Sequence, residues 1–132
     1  MMRTMTEKSR VVLVVENNPQ VLELLGDMIA ERGWEPVSAT SLKGALASFS
    51  SRDIDAIIAD IELDDGNSIP LLMKAHESPH PVPTFAISSY ASDALRQEVM
   101  RLGAIDLLAK PFRLDQLAGR LAEQFEAVAS VL

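Results

Sequence analysis

Asp55-Ala56-Ile57-Ile58-Ala59-Asp60, running straight into Ile61-Glu62-Leu63-Asp64-Asp65-Gly66, sets the frame for the whole chain. Between its two aspartates the first half is apolar. The second half is an acidic loop closed by glycine. A short continuous apolar run leaves no face for water, so it reads as a strand covered on both sides. Working back, Arg10 to Val15 (R-V-V-L-V-V) is another such strand, stopped by Glu16-Asn17-Asn18-Pro19. Asn18 suits a helix N-cap and Pro19 the first helical position. Val21, Leu25, Met28 and Ile29 then recur at helical spacing up to Gly33. Trp34 to Ala39 reads as a weaker strand, followed by a helix capped at Thr40 or Ser41 that carries Leu42, Ala45, Leu46 and Phe49.

Working forward, Ile61 to Asn67 reads as a loop and Ser68 to about Glu77 as a short helix, ended by the Pro79–Pro83 region. Thr84 to Ser88 is a fourth strand. A helix beginning at Ser92 or Asp93 carries Leu95, Val99 and Leu102 and stops at Gly103. Ile105 to Ala109 is the fifth strand, and a last helix carries Leu114, Leu117, Leu121, Phe125 and Val128. Five strands alternating with five helices predict one α/β domain, a doubly wound five-stranded parallel sheet with helices on both faces. Residues 1–9 read as a flexible N-terminal tail and 10–132 as the domain.

The composition agrees and narrows the function. The chain has 132 residues, 48% hydrophobic and 23% charged, which suits one soluble globular domain. Asp and Glu number 19 against 12 Lys and Arg, a net charge of −7. That balance argues against direct nucleic-acid binding and against an anionic membrane surface. Without cysteine there is no disulfide framework, thiolate metal site or thiol nucleophile. The run Val11–Val15 is too short for a signal-peptide core or a membrane span, so the expected location is the cytoplasm.

In parallel α/β sheets, ligands bind beyond the carboxyl ends of the strands. The residues there are Glu16 and Asn17 after the first strand and Asp60, with Glu62, Asp64 and Asp65 beyond it, after the third. Ser88 and Ser89 end the fourth, and Lys110 ends the fifth. With the first, third, fourth and fifth strands side by side, carboxylates, a hydroxyl and an ammonium converge. Hard oxygen donors in an open site suit magnesium, which keeps waters and bridges to phosphate. An aspartate there can accept a phosphoryl group as an acyl phosphate.

Four motifs in this order resemble the receiver domain of a two-component response regulator, of the chemotaxis-receiver kind. They are V-L-V-V-E-N-N-P, I-I-A-D-I-E-L-D-D-G, A-I-S-S-Y and G-A-I-D-L-L-A-K-P-F, and the resemblance spans about Arg10 to Val128. It implies a flavodoxin-like strand order 2-1-3-4-5 and a signalling module rather than an enzyme. It implies that Asp60 is the phosphoacceptor, and that Glu16 and Asn17 organise Mg2+ together with Asp60 and the backbone carbonyl of Glu62. The Glu62 side chain would tune phosphate lifetime. Ser88 takes the place of the switch hydroxyl. Lys110 takes that of the lysine pairing with the phosphoryl group, with a cis bond to Pro111. The implied partners are a histidine kinase or phosphotransfer protein, an unidentified downstream protein, and a second copy of the chain meeting through the last helices.

Two positions depart from the family pattern. Asn17 stands where most receivers carry a carboxylate, so magnesium affinity should fall. Leu107 stands at the switch position where an aromatic is usual; Tyr90, two residues past Ser88, is the candidate to stand in. These departures support an alternative, a phosphorylation-independent binding module. A phosphatase would place Asp-x-Asp after the first strand, where Glu16-Asn17-Asn18 stands, and a nucleotide binder would want a Gly-rich loop there. Taken singly, Asp60 reads as a loop or capping aspartate and Lys110 as a surface lysine. Asp64 and Asp65 read as solvated turn residues, His76 and His80 as exposed loop residues, and Trp34 as packing.

Overall fold

The computed structural model of the chain describes residues 9–131. The expected tail therefore lies, but for Ser9, outside the described residues. The elements in order are β1 (Val11–Val15), α1 (Pro19–Glu31), β2 (Glu35–Ala39), α2 (Leu42–Ser51) and β3 (Ala56–Asp60). Then come β4 (Glu62–Leu63), β5 (Gly66–Asn67), α3 (Ile69–Glu77), β6 (Thr84–Ser88), α4 (Asp93–Arg101), β7 (Asp106–Ala109) and α5 (Leu114–Val131). The main sheet runs β2-β1-β3-β6-β7 and every pairing in it is parallel. This is the predicted order, once the short β4–β5 pair is set aside.

The apolar runs are continuous because both faces of the sheet are covered. Val12, Val14, Ile58, Phe85 and Ile87 pack against Leu25 and Ile29 of α1 and Leu117 and Leu121 of α5. Leu13, Val15, Ile57 and Ala59 point the other way, toward Leu71, Leu72 and Val99 of α3 and α4. Side chains alternate along each strand, so one run of five residues supplies two cores. Fully burying each such aliphatic side chain stabilises by about 1.5–3 kcal/mol. Trp34 meets Phe125 edge-on at 5.0 Å, closing the end of the sheet away from the acidic loops.

Local signals set the helix starts. Asn18 accepts from the Gln20 and Val21 backbone amides, Ser41 from Gly44, and Ser92 from Leu95. α3 differs, since Ser68 makes no side-chain cap and turns its hydroxyl to the Asp60 carbonyl instead. His76 lies in the last turn of α3, exposed but seated over Gly103, and His80 is exposed in the loop beyond.

The segment Ile61–Asn67 corrects the expectation of a plain loop. Glu62 pairs with Asn67 and Leu63 with Gly66 in a small antiparallel hairpin. Gly66 takes φ +139°, which a side chain would resist. This hairpin stands over the carboxyl end of the sheet, beside the strand ends that carry the polar residues. Among the described residues, no helix is long and apolar enough to cross a membrane.

Candidate functional site

The register decides which side chains meet. Val15 pairs with Ala59, Asp60 with Ile87, and Ser88 with Ala109, so Glu16, Asp60, Ser88 and Lys110 leave the sheet at neighbouring strand ends. Glu16 is fully buried, Asp60 is 3% exposed and Ser88 is fully buried. Carboxylates this dry are rare unless paired.

Lys110 is the shared partner. Its Nζ donates to Asp60 Oδ2 at 2.6 Å and lies 2.8 Å from Glu16 Oε2. The peptide bond from Lys110 to Pro111 is cis. Backbone bonds hold both anions in place, because Asp60 Oδ1 accepts from the Glu62 amide at 3.0 Å and Glu16 Oε1 from the Asn18 amide at 3.0 Å. Glu16 Oε2 has no well-aligned donor; the ammonium approaches it off the hydrogen-bonding direction.

One cation shared by two anions is over-supplied with partners, and each anion is under-supplied. Burial alone would pull Lys110 down, yet its bond to Asp60 and its ion pair with Glu16 lift it above its usual range. Burial pushes the Glu16 carboxyl up, helped by the nearby Asp60 charge, and the shared lysine offsets this only in part. The site thus holds an excess of negative charge in a dry place.

Three further carboxylates stand on the hairpin. Glu62 Oε2 accepts from the Ser88 hydroxyl at 2.7 Å, and Glu62 Oε1 from the Ser89 amide at 3.3 Å. Ser88 Oγ in turn accepts from the Tyr90 amide at 2.9 Å. The Tyr90 side chain is 76% exposed, whereas Leu107 is fully buried in the core beneath α4. Asp64 Oδ1 accepts from Asn17 Nδ2 at 3.0 Å.

Asp65 and Asp64 are exposed, as turn residues should be, but both are engaged. Asp65 caps α2 from a distance, accepting from the Leu42 and Lys43 amides at 2.8 and 3.0 Å. Those two bonds hold its carboxyl below the usual range. Nothing local marks Asp65 as a cap, since its helix lies more than twenty positions earlier.

Oxygen donors gather at the carboxyl end of the sheet: the carboxylates of Glu16 and Asp60, with the main chain of Glu62 bonded to Asp60. Among the described residues, no three His, Cys, Asp or Glu side chains are arranged to hold a metal by themselves. A pair of carboxylates is what magnesium uses when waters and a phosphate complete its shell. The buried Glu16 Oε2 without an aligned donor fits such an ion, so the residues present are compatible with one.

Comparison with known proteins gives one answer. The profile of the family described as "Response regulator receiver domain" matches residues 12–122. The transcriptional regulatory protein TrcR of Mycobacterium tuberculosis is 30% identical over 110 residues, covering 83% of this chain and 43% of that protein. The regulatory protein AtoC of Escherichia coli is 32% identical over 108 residues, 80% of this chain and 23% of that protein. The chain therefore spans less than half the length of these relatives. The Francisella response regulator 1452 receiver domain superposes with a TM-score of 0.83 at 23% identity, covering 91% of this chain and 99% of that one. The chemotaxis response regulator CheY4 of Vibrio cholerae superposes with a TM-score of 0.78 at 21% identity, with coverages of 89% and 99%.

Proposed function

The chain belongs to the response regulator receiver family, and on that premise we propose that it accepts a phosphoryl group on Asp60 from a phosphohistidine of a histidine kinase or phosphotransfer protein. The observation that carries this reading is the Lys110 ammonium, held between Asp60 and the buried Glu16 at the open end of the sheet.

An Asp60 carboxylate oxygen forms the new P–O bond while the P–N bond to the donor imidazole breaks, and the imidazole leaves carrying a proton from solvent. Lys110 stays within reach of the charge that accumulates on the transferred group. The Glu62 amide keeps the carboxylate aimed outward. Ser88, at the next strand end, would donate to a phosphoryl oxygen once its hydroxyl leaves Glu62. The family's chemistry is typically magnesium-dependent; a bound ion would neutralise charge developing on the transferred group. Glu16, Asp60 and the Glu62 carbonyl would hold it, with the Asn17 amide oxygen in the place of a charged ligand, so binding would be weaker than a carboxylate at position 17 would give.

The added charge of roughly −1.5 to −2 then biases the surface that a partner reads. We assign that surface to α4, β7 and α5. Asp106 on β7 pairs with Arg96 of α4 and with Arg120 of α5 at 2.7 Å, which ties the three elements together. A downstream protein or a second copy of the chain would dock there. The proposed setting is the cytoplasm.

A second reading has its own support. Asn17 carries no charge and spends its amide nitrogen on Asp64, and Leu107 has no ring to report movement of Ser88. A receiver with those features would bind its partner irrespective of phosphate. Incubation with magnesium and a small phosphodonor decides between the two. The first reading expects intact mass to rise by one phosphoryl group, and Asp60→Asn to abolish the gain. No gain at saturating magnesium, with an ordinary receiver responding in parallel, selects the second.

A further inference from the structure

Ser88 has one hydroxyl proton, and it is already committed. The buried Oγ donates to Glu62 Oε2 at 2.7 Å and accepts from the Tyr90 amide at 2.9 Å. The other Glu62 oxygen takes the Ser89 amide at 3.3 Å. One carboxylate thus gathers a hydroxyl and a main-chain N–H at the end of β6. That corner is built to receive the oxygens of an anion, and it holds one now. The anion is delivered by the residue whose own amide donates to Asp60 Oδ1.

We propose that the Glu62 side chain is an internal competitor for the phosphoryl-binding corner, which must release Ser88 and Ser89 before a group on Asp60 can engage them. The proposal rests on Asp60 being the acceptor. A phosphoryl oxygen only accepts hydrogen bonds, as does an ionised carboxylate, so the two cannot share the one proton of Ser88. They also repel each other at that range. Glu62 has somewhere to go, because it is only half-buried at the start of a two-residue strand. Asp60 and Glu16 are buried and have no such freedom. Glu62 is therefore a positioning residue that sets how readily Ser88 can turn to an incoming anion.

The test uses beryllofluoride with saturating magnesium as the phosphoryl probe, its binding read by fluorine NMR. Proteins compared are the unaltered chain, Glu62→Ala, Glu62→Gln, Ser88→Ala and the Ser88→Ala/Glu62→Ala pair, each shown to be folded by its thermal melt. Loss of a charge-assisted hydrogen bond that must otherwise be broken should tighten binding by Glu62→Ala about tenfold. Glu62→Gln, a neutral acceptor of the same length, should gain less, and it carries the test if the alanine variant does not fold. In the Ser88→Ala background the gain from Glu62→Ala should shrink to about twofold or less, since additivity fails for residues that act through one contact.

Equal or weaker binding by both Glu62 variants overturns the proposal and leaves the reading of Asp60 standing. An undiminished gain in the Ser88→Ala background also overturns it, by assigning the effect to general charge repulsion. Binding by none of the proteins sinks the proposal and the reading of Asp60 together.

Discussion

Replacing Lys110 by methionine leaves two dry carboxylates facing each other with no cation between them. The Glu16 side chain is 0% exposed and that of Asp60 4%, while Lys110 itself is 20% exposed. Breaking a buried ion pair by removing one partner costs about 3–5 kcal/mol, because the remaining charge stays desolvated. Water reaches part of Lys110, so the lower end applies, about 3 kcal/mol or roughly 10 °C in Tm for a domain of this size. The deficit should depend on pH. Lys110 titrates above its usual 10.5, so its contribution is fully present at pH 5 and at pH 7 and is lost only as pH rises through that folded value.

Glu16 works in the opposite sense. Its carboxyl lies above the usual 4.5, so it favours the fold most at low pH and loses that contribution as pH rises through its folded value. Without the ammonium that opposes its burial it climbs further. The variant should therefore regain more stability than the unaltered protein between pH 7 and pH 5. Urea titrations at the two pH values measure this directly. A variant within about 0.5 kcal/mol of the unaltered protein at pH 7, the scatter of ordinary surface changes, would refute the reasoning. So would a deficit of the same size at both pH values.

Asp65→Ala removes the bonds to the Leu42 and Lys43 amides, so its Tm should fall at pH 7. Asp65 titrates below its usual 3.8, so its contribution is present above that value and lost as pH falls through the folded one; the two melts should converge in acid. Gly103→Ala should cost about 2 kcal/mol or more in chemical denaturation, from a side chain at positive φ and overlap with the imidazole above it. Both causes are present, since Gly103 has φ +107° and a Cβ there would run into His76. Asn17→Asp restores a charge worth at most about 4 kcal/mol at 4 Å, so calorimetry should show magnesium binding tighter, by up to about a thousandfold. Without magnesium the same variant should melt lower, because the new carboxylate faces Asp64.

What could be read from the chain divides by distance along it. The strands were legible because a continuous apolar run has only one cheap resting place, covered on both faces, and Val12 to Val15 fill both cores. Helix starts at Asn18 and, to within one residue, at Ser41 and Ser92 were legible because a cap bonds within three residues of itself. The meeting of Lys110 with Asp60, fifty positions apart, followed from the strand-end rule alone. The carboxylates of the hairpin were not legible in this way. Glu62 finds Ser88, Asp64 finds Asn17 and Asp65 finds the start of α2, each more than twenty positions away. No spacing rule links those pairs, and the sequence shows only an acidic turn. Asp106 is similar; it looks like a polar residue opening an edge strand, and only the packed helices bring Arg96 and Arg120 to it.

The central claim is that Asp60 is the side chain that becomes phosphorylated, and its most direct test is chemical. An aspartyl phosphate is reduced by borohydride to homoserine, which marks the modified position permanently. After treatment with a small phosphodonor, magnesium and then borohydride, peptide mass mapping should place homoserine at position 60, and chelation of the magnesium should abolish it. Homoserine at another carboxylate, or at none while an ordinary receiver treated alongside is marked, would contradict the account.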